Sequence, residues 1–209
     1  MKEYKLPIGC DVPETIILAD GDFPSHPLAL EWLRQCPYVV CCDGAANTYI
    51  RSGRMPEAIV GDGDSLLPDI KERYASLIHS EAEQETNDLS KAFRFCLSQE
   101  RKRITIMGAT GKREDHTIGN VSLLADYMEQ AEVSMMTDYG IFVPIREDSM
   151  FESYIGQQIS VFNMNSTALS AEGLAYPLSV FTNWWQGTLN EALARHFIIR
   201  TEGKVLVFR

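Results

Sequence analysis

No apolar run in the 209-residue chain approaches the ~20 residues that a membrane-spanning helix requires. The opening stretch, MKEYKLPIGCDVPE, lacks the apolar core of a secretory signal. Basic charge is in short supply: 19 Lys and Arg stand against 29 Asp and Glu, a net charge of −10 at pH 7. Such a surface repels a phosphate backbone, which excludes general nucleic-acid binding. An anionic substrate would have to be met by a metal ion or a local basic cluster. Cysteines number five, at 10, 36, 41, 42 and 96, with no CxxC and no repeated spacing. Neither a disulfide framework nor a zinc site is expected, and a reduced, cytoplasmic protein is. There is no GxSxG elbow and no Cys/His pair at a family spacing, so covalent nucleophilic catalysis has little support. Internal repeats and low-complexity linkers are missing. With 45% hydrophobic and 23% charged residues, the chain has the balance of an ordinary globular protein.

What is present falls into two textures, enough for one large domain or two small ones. Up to about residue 142, short apolar runs alternate with helix-like stretches. The runs are ETIILADG, YVVCCDG, EAIVGDGDS, SLIHS, RITIMGA and VSMMTD. Nearly continuous runs of this kind suit strands buried on both faces. Between them lie HPLALEWLRQC, AANTYIRSG, NDLSKAFRFCLSQE and HTIGNVSLLADYMEQ. Strands alternating with helices predict βαβ units and a mainly parallel sheet over residues 1–142. From 143 to 209, with IFVPIRE at its border, the runs QQISVFNM, HFIIR and KVLVFR are separated by turns rather than helices. This predicts a small antiparallel β domain. At roughly 70 residues its own core would be marginal, so it should pack on the first domain or a second subunit.

The aspartates carry the functional signal. Ligands of an open parallel sheet bind beyond the carboxyl ends of its strands. Four predicted strands end there in acidic or glycine turns, at Asp20 and Asp22, Asp43, Asp62 and Asp64, and Asp115. In GDGDS the two carboxylates are two residues apart, so an extended chain points both one way. Crowded carboxylates repel one another and need a proton, a partner or a cation. An all-oxygen set without His/Cys spacing favours Mg2+ over zinc. Taken singly each DG is a turn; independent turns have no reason to converge on one edge.

Two basic stretches lie beside this acid. In GATGKREDH (108–116), glycines let backbone N–H groups face an anion, the following helix offers its N-terminus, and Lys112 and Arg113 add full charge. The stretch is neither a P-loop nor GxGxxG, and it also reads as a tight connection with solvated charges. In ETNDLSKAF (85–93), Asn87 can cap a helix and Asp88 and Lys91 share a face. That pair is either a surface ion pair or a metal ligand with a phosphate partner. His116 reads equally as a capping histidine or a general base. Phe181, Trp184 and Trp185 read as β-domain core, as a dimer contact, or as a platform for a cationic ring.

CDGAAN, GDGDS, the NDLSKA run and GATGKREDHTIGN, in that order, resemble the thiamine pyrophosphokinase family. There the motifs usually read ADGGAN, GDFDS, DxTDxxKA and GGRxDHxxxN. GLAYPL (173–178) is similar to the family's GLKYPL, and GTLNEAL (187–193) to its GxSNEF. Glu85 stands where the family usually has Asp, Asn87 where it has Thr, Lys112 where it has Gly, Leu189 where it has Ser, and Asp20 where it has Asn. The fold implied is α/β: an N-terminal parallel-sheet, Rossmann-like domain followed by a small C-terminal antiparallel β-sandwich. The chemistry implied is Mg2+-dependent transfer of the pyrophosphoryl group of ATP, as co-substrate, to the hydroxyl of thiamine. By resemblance, Asp43, Asp62, Asp64 and Asp88 would hold the metal, and Lys91 and Arg113 would stabilise the transferred group. Asp115 would fix Arg113 or the ribose, or help activate the alcohol. Asp43, Gly44, Asn47, Ser65, Gly108, Thr110, Gly111, Lys112 and His116 would hold ATP and its phosphates. Glu85, Trp185, Asn190 and Glu191 would meet thiamine. A homodimer is implied. A metal-dependent phosphoesterase and a non-catalytic nucleotide or thiamine sensor are the alternatives.

Overall fold

The computed structural model describes residues 1–9, 11–80 and 85–209; Cys10 lies outside them. The chain divides into two compact units, Gly9–Tyr139 and, together, Met1–Ile8 with Gly140–Arg209. The first domain read from the sequence ran from 1 to 142. The structure instead moves the first eight residues to the second unit and places the later division at 139/140.

The chain opens with β1 (Lys2–Tyr4) and then enters the unit Gly9–Tyr139. There follow β2 (Thr15–Leu18), α1 (Pro27–Gln35), β3 (Val39–Cys42), α2 (Ala45–Arg51), β4 (Ala58–Gly61) and α3 (Pro68–Arg73). Next come β5 (Ile78–Ser80), α4 (Asp88–Ser98), β6 (Arg103–Met107), α5 (Glu114–Tyr127) and β7 (Glu132–Thr137). All six predicted strands of this part form, in the spatial order β5-β4-β3-β2-β6-β7, and each neighbouring pair is parallel. Ile16, Ile17, Leu18, Val40, Cys41, Val60, Ile106 and Met107 are buried completely, as strands covered on both faces must be. Helix α4 turns Leu89, Phe93 and Cys96 inward, and Phe93 stacks on Tyr127 of α5 at 3.9 Å between ring centroids. The order reverses between β2 and β6: from β2 the chain proceeds outward through β3, β4 and β5, and from β6 to β7. That is the position where an open parallel sheet splays its loops and admits a ligand.

The second unit holds β8 (Gly140–Ile145), β9 (Ser149–Glu152), β10 (Gln158–Asn163), β11 (Leu169–Glu172), β12 (Asn190–Glu191), β13 (His196–Thr201) and β14 (Val205–Phe208). Strands β8, β14, β10 and β12 pair in that order, all antiparallel. A second sheet runs β1-β9-β13-β11, antiparallel except that β1 lies parallel to β9. The sequence signal missed β1, β9, β11, β12 and α3. Strand β1 reads KEY, with no period to detect. It is held by pairing with residues 149–151 and by Tyr4 stacking on Phe151 at 4.7 Å. Arg209 closes the unit: its guanidinium is buried and donates to the carbonyls of Glu152 and Lys5.

Cys36, Cys41, Cys42 and Cys96 are free thiols. Among the described residues, no helix is long and apolar enough to cross a membrane.

Candidate metal and phosphate site

Strands β3 and β4 are neighbours and end at the same edge, so their terminal aspartates come together. Asp43 closes β3 with φ of +27°, a conformation that short polar residues accept better than most. The residue is 3% exposed. Asp62 and Asp64 follow β4 and are exposed, and Gly63 between them has φ of +75°, which lets the loop turn back. One oxygen from each of Asp43, Asp62 and Asp64 lies within 4.8 Å of the others.

The loop is braced from several sides. The Ser65 N–H donates to Asp43 Oδ2 at 3.1 Å, the Asp64 N–H to Asp62 Oδ1 at 3.2 Å, and the Ser65 hydroxyl to Asp64 Oδ1 at 3.1 Å. Asn47, from α2, spends both ends of its amide on this loop, donating to Ser65 O at 2.8 Å and accepting from the Leu67 N–H at 3.0 Å. Lys71 of α3 donates to Gly63 O at 2.6 Å. No motif pointed to Lys71: the contact needs a helix that the apolar pattern did not reveal.

Burial pushes the Asp43 carboxyl up to about 6, and the nearby Asp64, Asp88 and Asp62 reinforce this against the Ser65 N–H. The Asp64 backbone N–H, in turn, lowers Asp62. Asp43 Oδ1 is buried and accepts no hydrogen bond. A buried carboxylate oxygen left unpartnered among other carboxylates is costly, and a hard divalent cation is what such a set satisfies. The donors therefore fit Mg2+. The structure gathers three of the four expected ligands. Asp88, first residue of α4, stands outside this triplet and pairs with Lys91 Nζ at 3.1 Å, where the lysine side chain is 5% exposed.

The loop after β6 forms the other wall. Gly108, Gly111 and Lys112 all have φ between +58° and +77°. For Lys112 such a backbone costs about 1 kcal/mol or more. The β2 loop is zipped onto it, with the Gly21 N–H donating to Gly108 O at 2.6 Å and the Asp22 N–H to Thr110 O at 2.8 Å. A Cβ at Gly108 would stand 2.6 Å from Ala19 O, so only glycine permits this approach. Lys112 Nζ pairs with Asp20 Oδ1 at 3.0 Å. Arg113 grips Asp115 through Nε at 3.0 Å and Nη2 at 2.5 Å, and the His116 N–H donates to Asp115 Oδ1 at 2.9 Å. The guanidinium holds the Asp115 carboxyl far below the usual carboxylate range. Helix α5 begins at Glu114, two residues before the expected start.

Asn120 joins the walls: its amide donates to Ala109 O at 2.8 Å and accepts from Asn87 at 3.2 Å, while Asn87 caps α4 through the Ser90 N–H at 2.9 Å. Sequence reasoning does not single it out, although it is the last residue of GATGKREDHTIGN; its place in that motif is the available signal.

Of the residues expected at thiamine, Glu85 belongs to this unit and is exposed. Trp185, Asn190 and Glu191 belong to the other. Trp185 is 73% exposed in the 3₁₀ turn Trp184–Gly187. Asn190 is buried and holds the Tyr176 backbone from both sides, accepting its N–H at 3.0 Å and donating to its carbonyl at 2.8 Å. Glu191 is exposed, and so is Leu189, with φ of +59°.

Comparison with known proteins identifies the family. Thiamine pyrophosphokinase 1 of Oryza sativa subsp. japonica is 30% identical over 129 residues, 50% of this chain and 49% of that one. Thiamine pyrophosphokinase of Bacillus subtilis (strain 168) is 34% identical over 86 residues, 39% of this chain and 40% of that one. The chain thus spans about half or less of the curated relatives it matches. Among solved structures, thiamin pyrophosphokinase from Candida albicans superposes with a TM-score of 0.80 at 18% identity, covering 99% of this chain and 92% of that one. The Bacillus subtilis crystal structure gives 0.78 at 20%, covering 93% and 97%. At such identities these superpositions speak for the mixed α/β fold. Residues 29–136 match the model of the thiamin pyrophosphokinase catalytic domain and residues 140–208 that of its substrate-binding domain, so the chain belongs to the thiamin pyrophosphokinase family.

Proposed function

We propose that this protein transfers the pyrophosphoryl group of ATP to the hydroxyl of thiamine. The hydroxyl oxygen forms a bond to the β-phosphorus, the bond between that phosphorus and the α-bridging oxygen breaks, AMP leaves, and the hydroxyl proton is released. Such chemistry asks for positioning and charge stabilisation more than for covalent help. The observation that carries the reading is the buried, unpartnered Oδ1 of Asp43, a member of the triplet of clustered carboxylates. Asp43, Asp62 and Asp64 would hold Mg2+, with Asp88 adding charge nearby. The ion, when bound, neutralises polyphosphate charge and aligns it. Gly108, Thr110 and Gly111 offer backbone to phosphate, and Lys91, Lys112 and Arg113 offer charge. Asn47 and Ser65 act by shaping the metal loop, to which they are already bonded. Gly44 and His116 would lie along the nucleotide, and Asp115 orients Arg113.

Thiamine would be met by Glu85, Trp185 and Glu191, with Asn190 supporting the loop at Tyr176. In this reading the parallel-sheet unit is a Rossmann-like catalytic domain, the other a β-sandwich that carries thiamine contacts and a homodimer interface, and the enzyme works in the cytoplasm. The test is incubation with ATP, Mg2+ and thiamine, followed by separation of nucleotides. AMP and thiamine diphosphate in equal amounts support the proposal. ADP indicates an ordinary kinase, phosphate release without thiamine a phosphoesterase, and binding without turnover a sensor.

A further inference from the structure

Asp20 and Lys112 are 92 residues apart in sequence and stand at the ends of adjacent parallel strands, at the reversal between β2 and β6. Their ion pair is 3.0 Å long, with each side chain about half exposed. Exposed pairs of this kind add little to stability, so stability alone gives no reason to hold Lys112 in a left-handed backbone conformation. The location is more telling. Asp20 also leans on the metal side: a Cβ at Gly44 would lie 2.6 Å from Asp20 Oδ2 and 3.2 Å from Ser65 Cβ. One carboxylate therefore touches the Asp43–Gly44 turn and holds the ammonium of the phosphate loop.

The geometry points to Asp20 as a built-in competitor for phosphate at Lys112, a residue that selects the metal-complexed nucleotide over the free polyanion. This rests on the nucleotide-site reading given above. An oxyanion reaching Lys112 must take the ammonium from a carboxylate that stays in place and repels it. A free polyphosphate faces that repulsion in full, added to that of Asp43, Asp62 and Asp64. A polyphosphate arriving with a divalent cation does not, because the cation offsets both the acidic triplet and the displaced Asp20. The ion pair thus raises the contrast between the two forms of the substrate.

The test is calorimetric binding of inorganic tripolyphosphate and of ATP, each with Mg2+ and with EDTA, to the full chain and to Asp20→Asn, Lys112→Ala and the double variant. Asp20→Asn should tighten metal-free tripolyphosphate binding by about three- to tenfold and change Mg2+-ATP binding by less than about twofold, since repulsion is then offset. Lys112→Ala should weaken both. In the double variant most of the gain from Asp20→Asn should vanish, because nothing remains to compete for. Unchanged metal-free binding in Asp20→Asn overturns the inference. So does an equal gain in the presence and absence of Lys112, which would make Asp20 a distant repulsive charge. Failure of the unaltered protein to bind Mg2+-ATP or tripolyphosphate at all would overturn the nucleotide reading itself, and this inference with it.

Discussion

The Ser65 N–H donates to Asp43 through Oδ2 at 3.1 Å, and the other oxygen of the same carboxylate is buried with no donor at all. One oxygen fixes the orientation and the second is left bare, in a residue whose carboxylate lies within 4.8 Å of those of Asp62 and Asp64. That division of labour supports two measurements, and the buried Asn190 of the other unit a third.

Asp43→Asn should separate metal binding from folding. Asparagine keeps an acceptor for Ser65 and tolerates the positive φ at this position. It removes one negative charge from a crowded triplet, so the melting temperature should hold or rise. Mg2+ affinity should fall by about tenfold or more, because ligand charge sets the affinity of an oxygen site. Titration calorimetry with Mg2+ gives the answer, and unchanged affinity would remove Asp43 from the metal site.

The pH dependence has a definite sign. The Asp43 carboxyl is raised from an ordinary 3.8 to about 6 in the folded protein. The folded state therefore binds this proton more tightly than the unfolded chain, and its contribution to stability is full below about pH 4 and lost as pH rises through 6. Without metal, the unaltered protein should lose stability relative to Asp43→Asn across that window. The rise in melting temperature on adding Mg2+ should be small below pH 5 and reach a plateau above pH 7, since the ion needs the ionised carboxylate. A Mg2+ effect independent of pH from 5 to 8 would contradict this.

Asn190→Ala should destabilise the unit containing Gly140–Arg209. The buried amide makes two hydrogen bonds to the Tyr176 backbone, and their loss should cost about 1–3 kcal/mol. Urea denaturation would register it. A loss under about 0.5 kcal/mol would mean the Tyr176 loop finds other partners.

Much of the parallel-sheet frame was legible because its physics is local. Runs such as IIL, VVCC and AIV are apolar throughout, which suits strands covered on both faces. The aspartates that follow them could be placed at one edge once the strands were taken as parallel. The same reasoning could not rank those aspartates. Asp88 and Lys91 are three apart, compatible with either a metal ligand or a helix-face pair, and the structure shows the pair. Strand β1 is polar and three residues long, and its partner lies almost 150 residues on. Lys71 reaches Gly63 only because α3 packs as it does.

By itself, then, the order of residues determined the strand–helix alternation, the turn glycines and the supply of carboxylates at strand ends. These are properties of neighbours in the chain, where periodicity and backbone sterics act. Tertiary structure alone decided which carboxylates meet, which oxygen is left bare, and that Asp20 faces Lys112 across 92 residues. Burial and Coulomb interaction depend on distance in space, and the register of adjacent strands sets that distance.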